Sequence, residues 1–187
     1  MPNEQPNPAA HLRTEILRAA RLCAPNLESV GALTLTGDAA DPAQISAWAE
    51  NVLRPHLVPA ADSAWKFGRT GVRELLAADK LLSEKLAGPL ARNSRSAGTK
   101  TALAAQAPAG ETALARYMQS LSRGETDGNF AVVFCARAGV FHIPKNIALA
   151  ALVFMELRAV PLPQLWDAID ACAAVFPAPD NKGLRAA

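Results

Sequence analysis

In the stretch PQLWDAIDACAAVF, Asp167 and Asp170 stand three residues apart. That spacing puts two carboxylates on one helix face, where general acid–base or metal chemistry could use them if a second element supplied matching groups. No E-x-x-H or other complementary ligand set accompanies them, so the pair reads as a solvated helix face. His142 lies between Phe141 and Ile143, the setting of a hydrogen-bonded core histidine rather than a catalyst. The turn GETDGN places Glu125 and Asp127 in a glycine loop but lacks the further oxygen ligands of a calcium loop, and it reads as a solvated turn. Cys23, Cys135 and Cys172 are far apart, with no C-x-x-C, and the only histidines are His11, His56 and His142. Neither a disulfide framework nor a zinc site follows, and each cysteine reads as a small core hydrophobe.

The familiar catalytic motifs are missing. NSRSAGTKT has Asn93 where a phosphate loop needs its first glycine, and a threonine between Gly98 and Lys100. There is no G-x-S-x-G, H-E-x-x-H or G-x-G-x-x-G, so nucleophile-elbow hydrolases, zincins and dinucleotide folds have no support. No catalytic residue, metal or cofactor is assigned, and the balance is against an enzyme.

Two surfaces remain. Lys66, Arg69, Arg73 and Lys80 fall near one helical side beside Trp65 and Phe67, and no acid interrupts the chain between Glu84 and Glu111 while Arg92, Arg95 and Lys100 add charge. Cations that neutralise phosphates beside rings that can stack on bases are what backbone-level nucleic-acid binding uses. The isoelectric point near 8.6 nevertheless falls short of a strongly basic footprint. The second surface is the stripe Leu165, Trp166, Ile169 and Phe176, which either covers the core of its own chain or binds a protein partner or a second copy.

The elements that would position these groups are helical. Alanine fills 40 of 187 positions and half of the residues are hydrophobic, enough for a real core. Helices are expected from His11 to Cys23, with Leu12, Ile16, Ala20 and Cys23 inward; from Pro42, capped by Asp41; from Asp62 to Leu86, broken near its start by Gly68 and Gly71; over 111–124; from Pro144; and from Pro163 to Phe176. VGALTLTGD alternates like a short strand or an extended connector. The nine apolar residues Ile147 to Met155 are too few to span a bilayer, which takes about 20, so that helix is expected at the centre of a core. NFAVVFCARAGVFHIP fits a helix better than a hairpin turning at Gly139.

The expected fold is mainly α, an irregular helical bundle with a possible small β-hairpin near 130–143. An N-terminal helical half spans 1–90, a flexible basic loop 91–110, a C-terminal helical half 111–177 and a tail 178–187. With no apolar signal segment at its start, the chain is expected in the cytoplasm, in a bacterial-type setting. The expected role is a non-enzymatic accessory or adaptor subunit of a larger assembly. The alternative is a nucleic-acid backbone-binding protein, or a subunit of a nucleoprotein complex, using Lys66, Arg69, Arg73, Lys80, Arg92, Arg95 and Lys100. An enzyme of unknown reaction, acting through Asp167, Asp170 or His142, comes third.

Overall fold

A computed structural model of the chain describes residues 8–25, 33–35, 41–104 and 112–176. Helices joined by short turns make up an irregular, mainly α bundle, and no strand occurs among the described residues. Helix α1, Pro8–Cys23, buries Ile16, Ala19, Ala20 and Cys23. Leu12, expected on that inner face, is instead exposed. Helix α2, Pro42–Trp48, starts as its sequence dictates: the Asp41 carboxylate accepts the Ala43 N–H at 2.9 Å, and Pro42 takes a position whose N–H is not needed. It runs without a break into a π-helix, Ala49–Leu57, and then α3, Val58–Phe67. Pro55 offers no N–H and its ring crowds the carbonyl one turn back, so the helix widens around it.

After Gly68–Gly71 come α4, Val72–Lys85, and α5, Gly88–Ala104. Helix α6, Ala113–Ser122, opens on Thr112, whose hydroxyl accepts the Ala115 N–H. Then follow α7, Phe130–Val140; α8, Lys145–Glu156; and α9, Leu162–Ala173. None of the described helices is long and apolar enough to cross a membrane.

The centre of the bundle is α7, in which every residue from Phe130 to Ala138 is buried. It packs most extensively on α3, and then on α5 and α8. The contact with α3 is backbone on backbone: a Cβ at Gly139 would collide with the Trp65 carbonyl. This is why Phe130–Val140 is a helix and not part of the hairpin considered from sequence. Gly139 does not turn the chain; it lets two helices touch. Helix α8, expected at the core, is buried from Ala148 to Val153 and at Met155, with Phe154 partly open.

The sequence reading of 91–110 as a mobile loop is corrected as far as Ala104, where the chain is helical; residues 105–111 lie outside the described ones. The residues taken for loop composition are the packing face of α5: Ala91, Ser94, Ala97, Gly98 and Thr101 are buried at helical spacing. Their smallness lets α5 approach closely, and a Cβ on Gly98 would strike the Gly128 carbonyl. Helices α3 and α5, from before and within that stretch, thus share one core with α7. Of VGALTLTGD, residues 33–35 are buried, with a bend at Thr34 and no strand pairing. Its remainder and the tail 178–187 lie outside the described residues.

Candidate functional site

A concavity with a mainly apolar floor lies where α2 and the π-helix run past α9. It holds about 410 Å³. Ile45, Ala49, Ala168, Cys172 and Val175 line it, and Asp167 and the Glu50–Arg54 ion pair, 2.8 Å, stand at its rim. Small residues on α9 leave the room: the larger Leu165 and Ile169 turn the other way, into the core, each 2% exposed. Burial pushes the Cys172 thiol up to about 11, so it stays protonated and contributes to the floor as an apolar group.

Beneath the α2 wall is a polar node. Trp48 Nε1–H donates to Thr34 Oγ1 at 3.0 Å, and Thr34 donates both its hydroxyl, 2.7 Å, and its N–H, 2.9 Å, to one oxygen of Glu156. Asn93 Nδ2 holds the neighbouring Leu33 carbonyl at 3.2 Å. Glu156 is 3% exposed, and burial raises its carboxyl to about 7 against the opposing pull of the two Thr34 hydrogen bonds.

A second polar node fixes the turn before α7. Asp79, fully buried on α4, accepts from the Thr126 hydroxyl, from the N–H groups of Gly128 and Asn129, both 2.8 Å, and from the Asn129 side chain at 2.9 Å. Asn129 also donates to Ser83 Oγ at 2.7 Å. Tyr117, buried nearby, has its hydroxyl pushed far up by burial and then by the Asp79 charge. The sequence reading passed over both carboxylates. The signal was there: Asp79 sits among Leu75, Ala78 and Leu82 on the buried face of α4, and Glu156 ends the apolar run of α8. An acid on an apolar helix face must be hydrogen-bonded inside the fold.

Comparison with protein-family models returns a match to UreF over residues 39–160, more than half of the 187-residue chain. The chain belongs to the UreF family. UreF proteins are urease accessory proteins that work in complexes with other urease chaperones and are not themselves catalysts. No curated protein and no solved structure matches the chain. Both buried carboxylates, Trp48 and one side of the groove fall inside the matched segment, whereas α1, Thr34 and α9 lie outside it.

UreF membership corrects the functional expectations drawn from sequence. The non-enzymatic accessory subunit fits, its unspecified assembly gives way to urease nickel insertion, and the nucleic-acid alternative is without support. The geometry explains why the basic region misled. Lys66, Arg69, Arg73, Lys80, Arg92, Arg95 and Lys100 are spread over three helices and the turn between two of them, not along one stripe. Lys80 and Arg95 share a cleft with Glu84, Glu125 and Asp127, and Arg95 pairs with Asp127 at 3.0 Å. Arg69 donates to the His142 ring, and Lys66 lies over Phe67, 5.3 Å from its centroid. The Trp65 indole is committed to the Ile143 carbonyl at 2.8 Å.

The remaining predicted residues separate. Of the stripe on α9, Leu165 and Ile169 are core, while Trp166 and Phe176 are partly buried against it. Trp166 stacks on Phe154 at 5.9 Å, with the Arg13 guanidinium 5.2 Å from its centroid. Asp167 edges the groove and Asp170 is exposed. His142 is an exposed turn residue with a left-handed backbone, φ 57°, rather than a core histidine. Among the described residues no group of three or more His, Cys, Asp or Glu converges as a metal site. All three cysteines are free and buried.

Proposed function

We propose that this chain acts in the cytoplasm as a non-catalytic member of a urease maturation complex, supporting nickel insertion, and that it engages a UreD- or UreG-type partner through the groove between α2 and α9. The family match over 39–160 carries the role. The groove supports the place of contact: it combines an apolar floor with a charged rim, the anatomy of a docking surface. Trp166 does not line the groove; on the far side of α9 it stacks on Phe154 with the Arg13 guanidinium over its ring.

The test is Ala171→Arg, a substitution at an exposed position lining the groove. Co-expressed with urease subunits and with UreD and UreG, each tagged in turn, the variant should retain its melting temperature, lose at least tenfold in capture by one partner and lower the nickel content of urease. Unchanged capture and nickel content would remove the groove from the reading. Unchanged nickel content on deleting the whole chain would remove the role itself.

A further inference from the structure

Glu156 and Thr34 are 122 residues apart in sequence, and the hydrogen bonds between them are the described polar tie between the segment 33–35 and α8. Trp48 extends that tie to α2, whose Ile45 lines the groove. The chain of donors has one direction: indole to hydroxyl, and hydroxyl and amide to a single carboxyl oxygen. It contains one group able to gain or lose a proton near neutrality. We propose that Glu156 is a proton-controlled latch, closed when its carboxyl is neutral and loosened when it ionises, that sets how firmly segment 33–35 and the α2 wall of the groove are held. This regulation rests on the groove reading for its consequence, not for its mechanism.

Charge in an apolar pocket is costly unless enough donors meet it. Among the described residues Glu156 receives two, both from Thr34, on one oxygen. None of the described elements packed against α8 adds a compensating charge; among the described residues, burial and Thr34 act on the carboxyl. On α3, Asp62 is tied to Lys145 at the opposite end of α8, at 3.0 Å. On α7, Arg137 donates to the carbonyls of Cys23 and Leu22, and Cys135 is a buried thiol. On α1, Arg18 faces Glu15, Arg13 covers Trp166, and Cys23 is a buried thiol. On α9, Asp167 edges the groove, Asp170 is exposed and Cys172 is protonated. Arg158, two residues beyond, forms no ion pair with Glu156.

With the segment open and the carboxyl hydrated, Glu156 titrates at the ordinary value of 4.5; closed, it titrates at about 7. The closed state therefore binds the proton more tightly. Between these two values each unit of rising pH favours opening by up to tenfold, roughly two orders of magnitude in all. Above about 7 both states are ionised and the effect levels off. Acid tightens the latch, and neutral or alkaline solution loosens it.

The experiment is hydrogen exchange of the backbone amides of residues 33–35 by NMR on the full chain, from pH 5 to 8, referenced to the unfolded chain at each pH. Wild-type protection should fall by at least tenfold from pH 5 to 7.5 and then level. In Glu156→Gln, which keeps an acceptor but cannot ionise, protection should not depend on pH. Thr34→Val removes one of the bonds that favour the charged form, so its levelling point should move to higher pH; this variant carries the test if Glu156→Gln fails to fold. Flat wild-type protection, or the same pH dependence in Glu156→Gln, would overturn the latch. Ala171→Arg should leave the pH dependence intact, so loss of partner capture and loss of the latch are read separately.

Discussion

Asp79 and Glu156 are both buried carboxylates, yet they are held in different ways. Asp79 accepts from four donors, two of them backbone N–H groups fixed by the turn at Gly128–Asn129. Among the described residues Glu156 accepts from two donors, both supplied by Thr34. Equal burial therefore does not mean equal commitment. A carboxylate surrounded by donors pins its neighbours through several hydrogen bonds, whereas a buried one with few donors is costly to ionise and becomes responsive to pH. The first node fixes the entry to the central helix α7; the second adjusts a wall of the candidate groove.

Asp79→Ala should show the largest effect. It would leave the N–H groups of Gly128 and Asn129 and the Asn129 amide without their acceptor inside the protein, at a cost of about 3 kcal/mol or more. Chemical denaturation at pH 7 measures it, and a loss below about 1 kcal/mol would mean that the turn is held by other contacts. Glu156→Gln sharpens the contrast. The folded-state value of Glu156 is raised from 4.5 to about 7, so its stabilising contribution is fully present below 4.5 and is lost as pH rises towards 7. Unfolding free energies should show the wild type losing about 3 kcal/mol relative to Glu156→Gln over that window. A constant difference between the two proteins would place the titration elsewhere. The smallest effect belongs to Arg95→Ala, which removes the half-exposed pair with Asp127 beside the Asp79 turn. It should cost under about 1 kcal/mol and become undetectable at high salt; a larger loss would make the rim of that turn as important as its buried acceptor.

Much of the fold is legible in the letters because helix boundaries are local. Asp41 and Pro42 start α2, Gly68 and Gly71 separate α3 from α4, and the apolar run before Glu156 is buried as expected. Helix α5 was misread because Ser, Gly and Thr have loop-like composition in isolation, and their use as a close-packing face depends on Gly128 and α7 lying opposite. The basic residues were legible as charges but not as a surface, since the carboxylates and rings that engage Arg95, Arg69 and Lys66 come from other parts of the chain.

The sequence by itself determined that this protein is helical, where most of its helices begin and end, and which segments are too apolar to face water. Capping, proline geometry and hydrophobic periodicity act within a few residues. Only the tertiary structure decided which side of α9 is covered, that α7 rather than α8 is enclosed along nearly its whole length, and that Thr34 meets Glu156. Those outcomes depend on backbones that approach at single glycines and on hydrogen bonds between groups more than a hundred residues apart, and no local pattern encodes the identity of a distant partner.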